Sequence, residues 1–130
     1  NKKISFDCID LWEYFEYQDD IDKNKFDNLY FQFLTNILPV KNLITPIKMD
    51  SIVASKLYEN NSLDFIFIDA AHDYVNVLND LKHWYPKLKP NGIIAGHDYF
   101  NAEGVRKSVD EFFGNKIITK GSCWVYGNIQ

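Results

Sequence analysis

Two short apolar runs, DFIFID at residues 64–69 and GIIAG at 92–96, flank a stretch of helical periodicity, and that arrangement restricts the fold more than any other feature. A run with no polar residue between its ends is the pattern of a strand covered on both faces. Between the two runs, Val77, Leu78, Leu81, Trp84, Tyr85 and Leu88 recur at the spacing of one helix face over 75–88. Strand, helix, strand is the repeating unit of a parallel sheet.

The rest of the chain continues the alternation. Residues 4–11 (ISFDCIDL) read as a strand of mixed burial, and 43–49 (LITPIKM) as a second, which Pro46 places near a sheet edge. Between them, Phe26, Leu29, Tyr30, Phe33, Leu34, Ile37 and Leu38 predict a helix over 22–38 that Pro39 ends. A short helix is expected at 51–58, a turn at Lys89-Pro90-Asn91-Gly92, and a helix over 104–113 closed by Gly114. Residues 116–119 and 122–126 read as a terminal hairpin around Gly121. The expectation is a single α/β domain over 1–130, doubly wound around a mostly parallel sheet, with an antiparallel hairpin at its C-terminal end.

Composition narrows the function. Fourteen basic and 18 acidic side chains are spread along the chain with a net charge of −4, which argues against a nucleic-acid surface. No run approaches the roughly 20 apolar residues of a membrane helix. Cys8 and Cys123 lie in apolar runs and are expected to be buried, reduced thiols, which points to a cytoplasmic setting. The only Met is Met49, so the chain is expected to begin inside a longer gene product or after a removed segment.

In a doubly wound sheet, ligands bind beyond the carboxyl ends of the strands. Asp10, Asp50, Asp69, and His97 with Asp98 stand at those ends. Asp10, with Leu11 and Trp12 beside it, has two readings. It takes both hydroxyls of a ribose while Trp12 offers a face to an adenine, or it caps a turn while Trp12 fills the core. Asp50 and Ser51 either contact an adenine amino group or form an ordinary helix N-cap pair. Asp69, His97 and Asp98 follow two strands expected to be neighbours. Carboxylates brought together there repel unless a cation or proton intervenes, so they hold a divalent ion or cap the following loop. Two carboxylates suit Mg²⁺, whereas an imidazole favours softer ions such as Mn²⁺. His72, three residues past Asp69, is either a general base or a helix-start residue satisfied by the backbone.

LDFIFIDAAHDY at 63–74, NDLKHWYPKLKPNG at 79–92 and GIIAGHDY at 92–99, with EGVRKSVDEFF at 103–113 and SCWVYGN at 122–128, resemble the class I S-adenosylmethionine-dependent methyltransferases. The resemblance is to the branch of cephalosporin hydroxylase-like proteins and metal-dependent sugar O-methyltransferases, and it runs from Phe6 onward. It implies a Rossmann-like fold and S-adenosylmethionine as cofactor. Asp10 then matches the ribose acid, and Asp50 with Ser51 the adenine contact. Asp69 and the His97–Asp98 pair match the metal positions, with His97 where the family has a carboxylate, and His72 matches the general base. The family's first strand and glycine-rich turn are absent, since no glycine precedes Gly92. In the family that strand lies between the second and the fourth, so its absence predicts a gap within the sheet and weak cofactor binding by these 130 residues alone. Either upstream residues supply the unit or the sheet closes differently.

The sequence therefore predicts an O-methyltransferase of small molecules, a sugar or polyol hydroxyl being the expected acceptor, with homo-oligomers left open and neither nucleic acid nor membrane as partner. The alternative is a non-catalytic methyltransferase-like remnant serving in binding or assembly. A nicotinamide-dependent oxidoreductase is disfavoured because no GxGxxG occurs. A phospho-acceptor receiver is disfavoured because Asp7 and Asp10 are not an adjacent pair.

Overall fold

The computed structural model describes residues 4–13 and 28–127. By internal contacts the chain forms two compact units, Asn1–Ala54 and Ser55–Gln130. The first unit holds a two-stranded parallel sheet of β1 (Phe6–Asp10) and β2 (Ile44–Lys48), paired from Phe6↔Ile44 to Asp10↔Lys48. Among the described residues β2 pairs with β1 alone, an edge position that accommodates the missing N–H of Pro46. Helix α1 spans Leu29–Asn36, and the earlier part of the expected helix, 22–27, lies outside the described residues. The short helix α2 (Ser51–Ser55) ends three residues before the expected stop at Tyr58, whose N–H turns back to the Ser55 carbonyl.

The second unit is a four-stranded sheet in the order β3-β4-β6-β5. Strands β3 (Leu63–Ile68) and β4 (Leu88–Gly96) are parallel, and β6 (Cys123–Gly127) and β5 (Ile118–Lys120) add an antiparallel ladder. This is the mixed α/β, mostly parallel arrangement expected, with its terminal hairpin turning at Gly121. The described strands form two separate sheets, β1 with β2 and β3 with β4, β6 and β5.

Helices α3 (Tyr74–Trp84) and α4 (Glu103–Phe113) pack on this sheet through Val77, Leu81 and Trp84 from one and Val105, Val109 and Phe113 from the other. Both show an apolar stripe at helical spacing, so burial of that face rather than intrinsic propensity holds them. Asp73 caps α3, its carboxylate accepting the Asn76 backbone N–H at 3.1 Å. One part-buried contact joins the two helices through Ser108, whose hydroxyl also reaches back to its own helix. The Ser108 hydroxyl lies 2.9 Å from the Tyr74 carbonyl and 2.8 Å from that of Gly104.

Four expectations are corrected. The helix expected to reach Leu88 ends at Trp84, because Pro86 sits in a following 3₁₀ turn and Leu88 already opens β4. The Lys89–Gly92 turn is instead an irregularity within β4. Leu63 pairs with Leu88 and Phe65 with Ile93, so Asp64 alone faces four residues. The DFIFID strand is not covered on both faces: Ile66 is buried, but Phe65 and Phe67 are each 49% exposed and stack at 6.4 Å. Helices α3 and α4 cover one face of the sheet, and no described helix of this unit lies over those two rings. Cys8 and Cys123 are free but half-buried rather than buried, and burial, followed by the Asp7 charge, raises the Cys8 thiol above its ordinary value.

Packing is very close at Gly96, paired with Trp124 across β4 and β6. A Cβ there would meet the Ile68 carbonyl oxygen and stand 2.6 Å from Cε2 and Cζ2 of the indole. The fixed neighbours are backbone and a fully buried ring, so neither can move aside cheaply. Gly96→Ala is expected to destabilise the protein by about 1–3 kcal/mol, toward the upper end. Urea denaturation of the variant against wild type measures it.

Candidate active site

The β3–β4 register sets the site. Ile68 pairs with Gly96, so Asp69 leaves β3 where His97 and Asp98 leave β4, at the carboxyl ends of neighbouring parallel strands. The His97 N–H still donates to the Ile68 carbonyl at 3.3 Å, and the chain then turns sharply. Asp98 has φ of 60°, a left-handed conformation that Asp and Asn tolerate better than most residues. Its carbonyl accepts the N–H groups of Asn101 (3.2 Å) and Ala102 (2.9 Å), which closes the turn leading into α4.

Its carboxylate is the hub. Oδ2 lies 3.0 Å from Nε2 of His72, and Oδ1 lies 3.2 Å from Nδ1 of His97 and 3.4 Å from the Asn101 amide nitrogen, which also donates to the Ser122 hydroxyl at 2.9 Å. Partial burial pushes the Asp98 carboxyl up. The hydrogen bonds from Asn101 and His97 and the nearby imidazole charges outweigh it and hold the group below its ordinary value of 3.8. Asp69, His72 and Asp98 each offer a ligand atom within 4.8 Å of the others.

His72 is placed by close backbone approach. A Cβ on Gly104 would collide with the His72 carbonyl oxygen and lie 2.6 Å from the Tyr74 nitrogen, so α4 begins directly against the loop that carries the imidazole. The Tyr74 hydroxyl donates to Glu111 at 2.5 Å, and the Ser108 hydroxyl reaches the Tyr74 carbonyl at 2.9 Å. A small cavity of about 10 Å³ lies beneath the cluster, lined by Asp69, His72, His97, Val77, Val105 and Trp124 among others.

The structure thus brings together Asp69, His72 and Asp98, whereas the sequence grouped Asp69, His97 and Asp98 and set His72 apart as a base. His97 touches Asp98 from the other side and is outside the three-residue group found among the described residues. Two carboxylates and an imidazole are a donor set that a borderline-hard divalent ion accepts, Mn²⁺ more readily than Mg²⁺. Ligand atoms across an octahedral Mg²⁺ or Mn²⁺ stand about 4.2 Å apart, against the 4.8 Å within which these three groups lie.

In the first unit, Asp10 stands exposed at the end of β1, and its Oδ1 accepts the Trp12 backbone N–H at 2.6 Å, leaving Oδ2 without a partner among the described residues. Trp12 has φ of 47° and is buried against Tyr30 and Phe33, with ring centroids 4.8 Å away in each case, so it serves the core and does not present an open face. Leu11 beside it is half-buried. Asp50 accepts the Val53 N–H at 3.0 Å and so acts as the N-cap of α2, with Ser51 the first helical residue.

Asn101, Gly104, Ser108 and Trp124 were not read from the sequence as site residues. The glycine in the first turn of a predicted helix was the one visible signal, since it marks close approach.

A model of the methyltransferase-domain family matches residues 1–99. Solved structures share the fold over nearly the whole chain. The O-methyltransferase NovP has a TM-score of 0.68 at 12% identity, with 97% of this chain and 60% of that one covered. A protein from Corynebacterium glutamicum has a TM-score of 0.63 at 10% identity, with 97% and 62% covered. The MycE methyltransferase of the mycinamycin biosynthetic pathway, in complex with Mg and SAH, has a TM-score of 0.50 at 15% identity, with 95% and 34% covered. The strand-end site on a Rossmann-like sheet and the family match place the chain among the class I S-adenosylmethionine-dependent methyltransferases. It belongs to the methyltransferase-domain family, and spans less than two thirds of the length of each of these three structures. Among the described residues, no helix is long and apolar enough to cross a membrane.

A carboxyl whose folded-state value is depressed contributes stability above its unfolded value and loses it as pH falls through the folded one. For Asp98 that loss begins near pH 3.8 and continues below it. Asp98→Asn keeps a side chain suited to positive φ but has no charge to lose. Its urea midpoint should therefore fall less than that of wild type between about pH 5 and pH 2.5.

Proposed function

We propose that this chain forms the core of an S-adenosylmethionine-dependent O-methyltransferase acting on a hydroxyl of a small molecule, a sugar or other polyol. The observation that carries the reading is the convergence of Asp69, His72 and Asp98 at neighbouring strand ends in a chain of this family. The O-methyltransferase NovP and the Mg-bound MycE among its structural neighbours support it.

Methyl transfer joins a hydroxyl oxygen to the methyl carbon as the carbon–sulfur bond of the sulfonium breaks, and the hydroxyl proton has to leave. His72 receives that proton. Asp98 takes the Nε2–H at 3.0 Å, which fixes the tautomer with its lone pair on Nδ1, and Nδ1 is the accepting atom. The same carboxylate then stabilises the imidazolium, in the manner of an orienting Asp behind a catalytic His. A divalent cation held by Asp69 and Asp98 would supply positive charge to the substrate oxygen. Asp10 binds the ribose through its Oδ2, and Asp50 with Ser51 stands at the adenine end. Leu11 lines the approach.

His72→Ala should lower kcat by about 10²–10⁴ and leave cofactor affinity nearly unchanged. Equal turnover by wild type and variant would remove His72 from the chemistry. Asp10→Ala should weaken S-adenosylmethionine binding by about 1.5–3 kcal/mol in calorimetry, because a charge-assisted hydrogen bond is lost.

A second reading, in which His72 is itself a cation ligand, is favoured by the 4.8 Å grouping. Titration with Mn²⁺ separates the two. If His72 is the base, Asp69→Ala loses affinity and His72→Ala keeps it, whereas a ligand role lowers affinity in both.

A further inference from the structure

Trp124 is 1% exposed, and its Nε1 is a buried donor with no hydrogen-bond partner among the described residues. A buried N–H left unpaired costs about 1–3 kcal/mol, so such atoms in native proteins meet an acceptor. The indole is held rigidly. Its Cε2 and Cζ2 atoms, Cε2 being bonded to Nε1, lie against Gly96, and Phe113 packs on it with ring centroids 5.8 Å apart. It therefore cannot swing to find a partner. The same indole lines the small cavity under the active site, together with Asp69, His72 and His97. At about 10 Å³ that cavity matches one water molecule and nothing larger.

We infer that Trp124 is a positioning residue: its Nε1–H donates to a single buried water, which in turn donates to the Asp69 carboxylate. A buried water makes two to four hydrogen bonds to polar groups. The lining supplies one donor from the indole and an acceptor from Asp69. The consequence is specific to this site. Among the described residues no side chain or backbone group holds the Asp69 carboxylate, whereas His72 and Asp98 hold each other at 3.0 Å. A water anchored on a rigid indole would aim one Asp69 oxygen downward and leave the other facing His72 and Asp98. Outer contacts of this kind orient ligands and bases alike.

The inference rests on Asp69 being a working carboxylate of the proposed site, but its test uses no cofactor, cation or substrate. A failure of methyl transfer would therefore leave the result unchanged. The experiment is nuclear magnetic resonance on the ¹⁵N-labelled chain. The variants Trp12→Phe and Trp84→Phe assign two of the three indole signals and leave that of Trp124. Its Hε1 proton should show a dipolar cross-peak to long-lived water at short mixing times. Asp69→Ala should shift that resonance upfield, and Asp69→Asn, which retains an acceptor oxygen, should restore most of the position. A merely structural role of the indole would not make its N–H frequency depend on an exposed carboxylate. Absence of the water cross-peak, or Ala and Asn variants that leave the signal at the wild-type position, overturns the inference.

Discussion

The contact between the Trp124 indole and the Cα of Gly96 fixes the geometry on which the second unit depends. Gly96 stands opposite Ile68 in β3 and Trp124 in β6, with no room for a Cβ between them, directly before the point where β3 and β4 end. Asp69 and Asp98 meet because those ends coincide. Any side chain at residue 96 would force β4 away from β3 or from the indole, and the site would open with it. A single missing Cβ therefore has consequences at the Asp98 carboxylate two residues further along the chain.

The chemistry then rests on a second close approach, that of Gly104 to the loop of His72 and Tyr74. Helix α4 reaches across and is pinned by Ser108, while Asp73 caps α3 immediately after the imidazole. His72 lies on an exposed loop, yet both flanks of that loop are tied to helices. This is how an irregular segment carries a side chain with the precision of a regular one.

Much of this was legible in the sequence because it rests on periodicity. The β3–α3–β4 unit, α4 and the terminal hairpin follow from apolar spacing and from glycine and proline, and so does the position of every strand-end acid. The partnership within the site was less legible. His97 stands next to Asp98 in sequence and was grouped with it, but the turn at Asp98 sends its Oδ2 toward His72 instead. That turn depends on a positive φ at a non-glycine residue, which no pattern of residue types announces. The exposure of Phe65 and Phe67 was also unreadable, since an apolar run records what a strand prefers and not which layers surround it. Trp12 shows the converse: either of its two readings fits the sequence, and only the rings of Tyr30 and Phe33 decide between them.

The irregularity in β4 separates chain length from register. A slip of one residue in a strand normally turns every later side chain to the opposite face. Here Asp64 faces four residues, and beyond them Ile93–Gly96 is clamped from both sides by β3 and β6. Pro90 and Asn91 project outward between those fixed points. Residues can therefore be gained or lost around them without inverting the strand that delivers Asp98, so this segment is where a lineage can vary in length while its reactive end stays in phase.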